Sequence, residues 1–186
     1  MLICSVLLAL LIGWAGGGRL SRWEDAGLRL LPLPVLALLL QRGLGLLPSG
    51  AYDAWAPVIL LLSYGSLLAF CLGNRRMPKT ALLTGLGSLC NLAVIAANGF
   101  RMPVSQQAAA LLSPAGLADL QALRIPMYAL ASGDTRLLFL GDVFYCPIPF
   151  LSGFASIGDL LLALGVFFAL MAAMAPPRLP RWLCTG

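Results

Sequence analysis

The chain contains no histidine, and only 10% of its 186 residues are charged, seven of them acidic. Without an imidazole there are no His-dependent hydrolytic triads, no histidine-ligated haem and few routes to a zinc site. Five cysteines, Cys4, Cys71, Cys90, Cys146 and Cys184, show no CxxC spacing, which removes the common thiolate metal and redox motifs. They read as small buried hydrophobes; Cys4 and Cys146 are the one pair with a route to a disulfide. No dense basic patch with interleaved aromatics is present, so a nucleic-acid partner is excluded despite the net charge of +5. No cofactor motif and no metal-ligating cluster stands out.

What remains is apolar. Hydrophobic residues make up 60% of the chain and the mean hydropathy is +0.93, whereas soluble domains carry about a quarter charged residues. Apolar runs fall at about 2–16, 28–47, 54–72, 81–97 and 157–175, against the roughly 17–25 residues a spanning helix needs. The first is short, but its charges, Arg19 and Arg22, follow the run rather than precede it, so a retained helix fits better than a signal peptide. With the N-terminus outside and the C-terminus inside, the inner segments hold eight basic residues and the outer ones four, in accord with the positive-inside rule. The sequence therefore predicts an all-α polytopic membrane protein of one domain, 1–186, with five transmembrane helices. An extracytoplasmic helical cap or re-entrant loop, 99–153, lies between the fourth and fifth. The cytoplasmic membrane is the expected location.

Within these runs, polar and small residues are placed with a period. Ser5, Ala9, Gly13 and Gly17 recur every fourth residue, a small face for close helix packing inside the bundle or in a homo-oligomer. Thr84, Ser88, Asn91 and Asn98 fall on one face of the fourth span. Lipid offers that face no hydrogen-bond partner, so it serves interhelical bonding or walls a polar cavity near Asn98 and Arg101. In the long connection, VSQQAAALL and the Ser113-Pro114 start of AGLADLQAL predict two short helices. Phe139, Phe144, Tyr145, Phe150 and Phe154 read as interfacial anchors, and Arg178, Arg181 and Trp182 as an anchor at the inner face.

Asp142 lies in the apolar connection and Asp159 in the opening turn of the last span. A carboxylate at a membrane edge needs a partner, water or a task. The segments ANGFRMPVS (97–105), DTRLLFLGD (134–142) and SIGDLLLALGVF (156–167), with GGGRLSR near the start, together resemble a family of small bacterial five-span membrane proteins of unknown function. That resemblance spans essentially the whole chain. The last two spans are also similar in order and approximate spacing to the end of lipoprotein signal peptidase (signal peptidase II). Asp142 stands where that family has the aspartate of its Val-Asp-Phe segment. Asp159 stands where it has the aspartate heading the last helix, and Gly165 matches its later glycine. Asn91-Leu92 is similar to the family's Asn-Leu, but Ala93 and Val94 replace the Asp-Arg that follows, and the short connection before the third span leaves no room for a substrate cradle.

The residues alone permit a plainer account: Ser156 and Asp159 as a capping box, and Asp142 paired with Arg136 or Arg101. As an aspartate dyad, Asp142 and Asp159 would carry out general acid–base hydrolysis, peptidase-like, with one holding a proton while the other activates water. Asn91, Asn98, Arg101, Arg136 and Ser156 are the candidate binding residues, with a lipid, peptide or small anionic ligand as partner besides the bilayer. The alternatives are a small-molecule or lipid binding and transport module, and an assembly subunit of a membrane complex.

Overall fold

The structure is a computed structural model that describes residues 1–24, 26–146 and 153–186. Each apolar run forms a helix. α1 spans Leu2–Ala15, α2 Pro32–Gly45, α3 Ser49–Gly73 and α4 Pro78–Ala97; α5 (Gln106–Ala109) and α6 (Pro114–Gln121) lie in the long connection; α7 is Ile157–Met174 and α8 Arg181–Cys184. Prolines 32, 78 and 114 open their helices, where the missing amide donor costs no hydrogen bond.

Among the described residues, three helices are long and apolar enough to cross a membrane: Gly50–Gly73 of α3, α4 and α7. α1 and α2, also expected as spans, have 14 residues each, about 21 Å at 1.5 Å per residue against a hydrocarbon core of about 30 Å. Both pack lengthwise on a long helix, α1 on α7 and α2 on α3. Ile3, Leu8 and Leu11 on α1, Val35 and Leu39 on α2, and Leu61, Leu82 and Leu89 on the long helices stay exposed. Apolar surface on this scale suits lipid rather than water.

The small-residue face of α1 is taken up within the chain. Ser5 Oγ donates to the Ala163 carbonyl of α7, and Gly13 lies against Met174. The same logic governs α4 and α7. A Cβ on Gly87 would lie 2.6 Å from the Gly158 carbonyl, and Cβ atoms on Gly158 and Gly165 would collide with Asn91 Oδ1 and Thr84 Oγ1. Thr84, Ser88 and Asn91 are all buried, so the polar stripe of α4 faces its neighbour helix for most of its length. At the opposite end of the bundle, the Lys79 ammonium sits 5.0 Å from the Phe168 ring centroid and 5.6 Å from that of Trp182, fastening the C-terminal tail. All five cysteines are free.

The connection from α4 to α7 is not all-helical. β1 (Met102–Val104) pairs in parallel with β2 (Tyr128–Leu130), and β3 (Phe144–Cys146) pairs antiparallel with β4 (Gly153–Ala155). The two expected helices are present as α5 and α6, capped by Ser105 and Ser113, which accept from Ala108 N at 3.1 Å and Gly116 N at 3.2 Å. Val104, Ala108, Ala109 and Leu120 form a small core, with Tyr128, Tyr145 and Phe154 packed on it. Tyr145 and Phe154, expected as interfacial anchors, instead stack on each other at 5.7 Å between ring centroids. Phe139 and Phe144 are exposed, and Phe150 lies outside the described residues.

The α4–α7 contact makes a direct prediction. Gly158→Ala drives a methyl into Asn91 and lowers the melting temperature of the purified protein by several degrees, as overpacking of about 1–3 kcal/mol does. Gly65→Ala, at a helical glycine with open space around it, leaves it unchanged or raises it. Equal melting of the two variants would contradict the close approach.

Candidate functional site

Pairing of β3 with β4 helps set Asp142 at the same cavity as Asp159. The register sets Phe144 opposite Ala155, so Asp142, two residues before β3, lies beside Ser156 and the first turn of α7. On its other side the Asp142 backbone is tied to β1: its N–H donates to the Pro103 carbonyl at 2.9 Å, and its carbonyl accepts from Ser105 N at 3.0 Å. Asp142 is therefore held by main-chain bonds, and the residue is 2% exposed.

Asp159 is held by side chains. Ser156 caps α7 in a full capping box: Ser156 Oγ accepts from Asp159 N at 3.0 Å, and Asp159 Oδ2 accepts from Ser156 N at 3.1 Å. Asn91 joins the box from α4, donating through Nδ2 to Asp159 Oδ1 at 2.8 Å and accepting from Ser156 Oγ at 2.9 Å. Both oxygens of Asp159 thus accept N–H bonds at the helix end where negative charge is favoured. The capping account and a site role coincide here, because the same bonds fix where the carboxyl points.

Both carboxyls line one cavity of about 80 Å³ between α2, α3, α4, α7 and β2. Gln41, Tyr52, Tyr64, Asn91 and Tyr128 supply further polar atoms, and Leu60, Ile95 and Met127 are among the apolar ones. Asp142 Oδ1 has no hydrogen-bond partner among the described residues. Burial pushes the Asp142 carboxyl up to about 8, and the negative charge of Asp159 adds to the shift, so at neutral pH Asp142 is an acid carrying its proton. Burial, with the two aspartates behind it, also raises Tyr128 to about 12, which leaves its hydroxyl a donor. No hydrogen bond joins the two carboxyls directly among the described residues; the cavity leaves room for water between them.

The other candidates are placed elsewhere. Asn98 Nδ2 donates to the carbonyls of Val94 at 2.7 Å and Arg136 at 2.8 Å, and its Oδ1 accepts from Arg136 N at 2.9 Å. It fastens the connection to α4, and Arg136 enters through its main chain. Arg101 Nη2 pairs with Asp53 Oδ1 at 2.8 Å, and its guanidinium lies 4.5 Å from the Tyr52 ring centroid. Neither arginine lines the cavity, so the expected ion pair for Asp142 is not formed. The ion pairs among the described residues are Arg101–Asp53 and Arg124–Asp119. No group of three or more His, Cys, Asp or Glu side chains is placed to hold a metal, again among the described residues.

Gln41, Tyr64 and Tyr128 were not among the sequence candidates. A glutamine near the end of one apolar helix and a tyrosine in the middle of another were available signals, since neither has a lipid-side partner. Tyr128 carries no such signal, being set in place by a three-residue strand.

Protonation of Asp142 has a measurable consequence. An unfolded aspartate titrates near 4 and the folded one near 8, so unfolding between these values releases a proton. The stabilisation from this group is full below about pH 4 and is lost as pH rises through about 8. Wild-type melting temperature is expected to fall relative to Asp142→Asn across that window, with the variant the more stable by several degrees at pH 8. Parallel curves for the two proteins would show that Asp142 is not a buried acid.

No curated protein and no solved structure matches the chain. A family model described as a family of unknown function (DUF5317) matches residues 26–171, a stretch that includes α2 to α4, the connection and most of α7. The chain belongs to the DUF5317 family.

Proposed function

We propose that this membrane protein is an acid–base hydrolase, peptidase-like, with Asp142 as the general acid and Asp159 as the general base. The observation that carries the reading is the contrast of environments in one cavity. Asp142 is buried with no partner for Oδ1 among the described residues, while Asp159 accepts hydrogen bonds on both oxygens. Carboxyls held in unlike surroundings divide into donor and acceptor of protons.

In this scheme water attacks the substrate carbonyl carbon as Asp159 takes its proton and Asp142 gives its own to the carbonyl oxygen. On collapse, Asp159 passes the proton to the leaving nitrogen as the C–N bond breaks, and the new hydroxyl proton returns to Asp142. Both groups end as they began. Tyr128 and Asn91 position the pair and the entering group, and the size of the cavity admits the scissile bond rather than a whole peptide.

The reading includes a topology of five spans in a bacterial cytoplasmic membrane, N-terminus outside and C-terminus inside, with the connection between α4 and α7 as a cap over the outer end. Support comes from the loop charges and from α1 and α2 lying along long helices with apolar side chains outward. A second reading, a small-molecule or lipid binding and transport module, is favoured by the cavity volume, which suits a ligand of few atoms.

Turnover of membrane-anchored fluorogenic peptides by purified protein tests the first reading. Asp142→Asn and Asp159→Asn are each expected to lower turnover about 100-fold or more while melting cooperatively, and wild-type activity should decline above about pH 8 as Asp142 loses its proton. Full activity in either variant would end the acid–base assignment.

A further inference from the structure

The polar part of the cavity wall is rich in oxygen. Asp142, 2% exposed, presents an Oδ1 that has no partner among the described residues, and Asp159 lines the same space. Gln41 donates one amide N–H to Ser63 Oγ at 2.9 Å, and its carbonyl oxygen remains available as an acceptor. Tyr64 and Tyr128 add hydroxyls. The amide nitrogen of Asn91 donates to Asp159. Arg101 pairs with Asp53 through Nη2 and lies over the Tyr52 ring, while its buried Nη1 has no hydrogen-bond partner among the described residues. Among the described residues, no lysine or arginine side chain lines the space. A pocket of carboxyl, carbonyl and hydroxyl oxygens without a cationic side chain has the donor set of a hard cation.

We propose that this cavity binds one small, hard, monovalent cation of sodium size, held between the carboxyls of Asp142 and Asp159 with Gln41, Tyr64 and Tyr128 completing an oxygen shell. Divalent calcium calls for six to eight oxygens, commonly with several carboxylates, and magnesium keeps much of its water; a space of about 80 Å³ with two carboxyls fits neither well. Binding exchanges the Asp142 proton for the cation one for one, so the net charge of the buried site does not change. The groups facing Asp142 are Asp159 from α7, Tyr64 and Tyr52 from α3, Tyr128 from β2 and the neutral Gln41 and Asn91 from α2 and α4. Arg42, at the end of α2, acts on Tyr128 from a distance. The inference uses the same carboxyls as the hydrolytic reading but does not require turnover. A bound cation would remove the acid proton and so hold such a hydrolase inactive.

The test is thermal unfolding of the full-length protein in detergent, with sodium chloride set against choline chloride at equal ionic strength. Sodium is expected to raise the melting temperature by several degrees at pH 8 and by less at pH 6. Titration should give a sodium affinity that weakens about tenfold per pH unit below about pH 8, as one proton competes with one cation. Asp142→Asn, which removes the buried acid without a change of shape, should fold and lose the sodium shift; Gln41→Leu should fold and reduce it. Equal melting in sodium and choline, or a shift retained in Asp142→Asn, would overturn the proposal. Stabilisation by calcium or magnesium at millimolar concentration greater than that by sodium would overturn its monovalent assignment. A negative result here with the turnover loss intact would leave the hydrolytic reading standing, and the reverse pair of results would leave only the cation site.

Discussion

Gly87 and Gly158 let α4 and α7 approach until the main chain of one helix meets that of the other, and the site depends on that approach. At this spacing Asn91 reaches the first turn of α7, where it bonds both Ser156 and Asp159. With the helices farther apart, the capping box would close on itself and Asp159 would face whatever solvent or lipid lay beside it. Lipid gives apolar helices little reason to associate, so small residues and interhelical hydrogen bonds supply the association. The polar stripe of α4 is both the adhesive of the bundle and, at its upper end, part of the cavity wall.

The second constraint comes from the connection. Asp142 is fixed not by its side chain but by main-chain bonds to Pro103 and Ser105, and the β3–β4 pairing sets it beside α7. A side chain held in place by its backbone can be buried with an oxygen unpartnered, because the strands around it bear the cost. That cost is what raises its proton affinity. The arrangement destabilises the fold at neutral and high pH, and such strain persists where surrounding structure over-determines it. Arg101 lies over the Tyr52 ring and pairs with Asp53 through Nη2, and it makes no ion pair with Asp142 among the described residues.

Much of this was legible from residue spacing. Ser156-Ile157-Gly158-Asp159 reads as a capping box and forms one; Ser113-Pro114 reads as a helix start and is one. Asn91 was visible as a buried polar residue at helical spacing from Thr84 and Ser88. The strands were not visible, because three-residue runs such as MPV and FYC lack the alternation that marks a longer strand. Hence the route by which Asp142 reaches Asp159 was also hidden. Asn98 and Arg101 looked like a binding pair by adjacency, whereas Asn98 turns to the Arg136 main chain and Arg101 to Asp53, a partner 48 residues away. Hydropathy marked where helices form, and α1 and α2, at 14 residues each, are the two of the five runs that fall short of a full crossing by length alone.

The central claim is that Asp142 carries a proton at neutral pH because it is buried beside Asp159. Infrared difference spectroscopy of the carboxylic C=O stretch, wild type minus Asp142→Asn, measures this directly. The account predicts a band from a protonated carboxyl that disappears with a midpoint near pH 8, and a lower midpoint in Asp159→Asn, where the neighbouring negative charge is gone. A difference band absent at neutral pH, or one that titrates near pH 4 as in an unfolded chain, would contradict it.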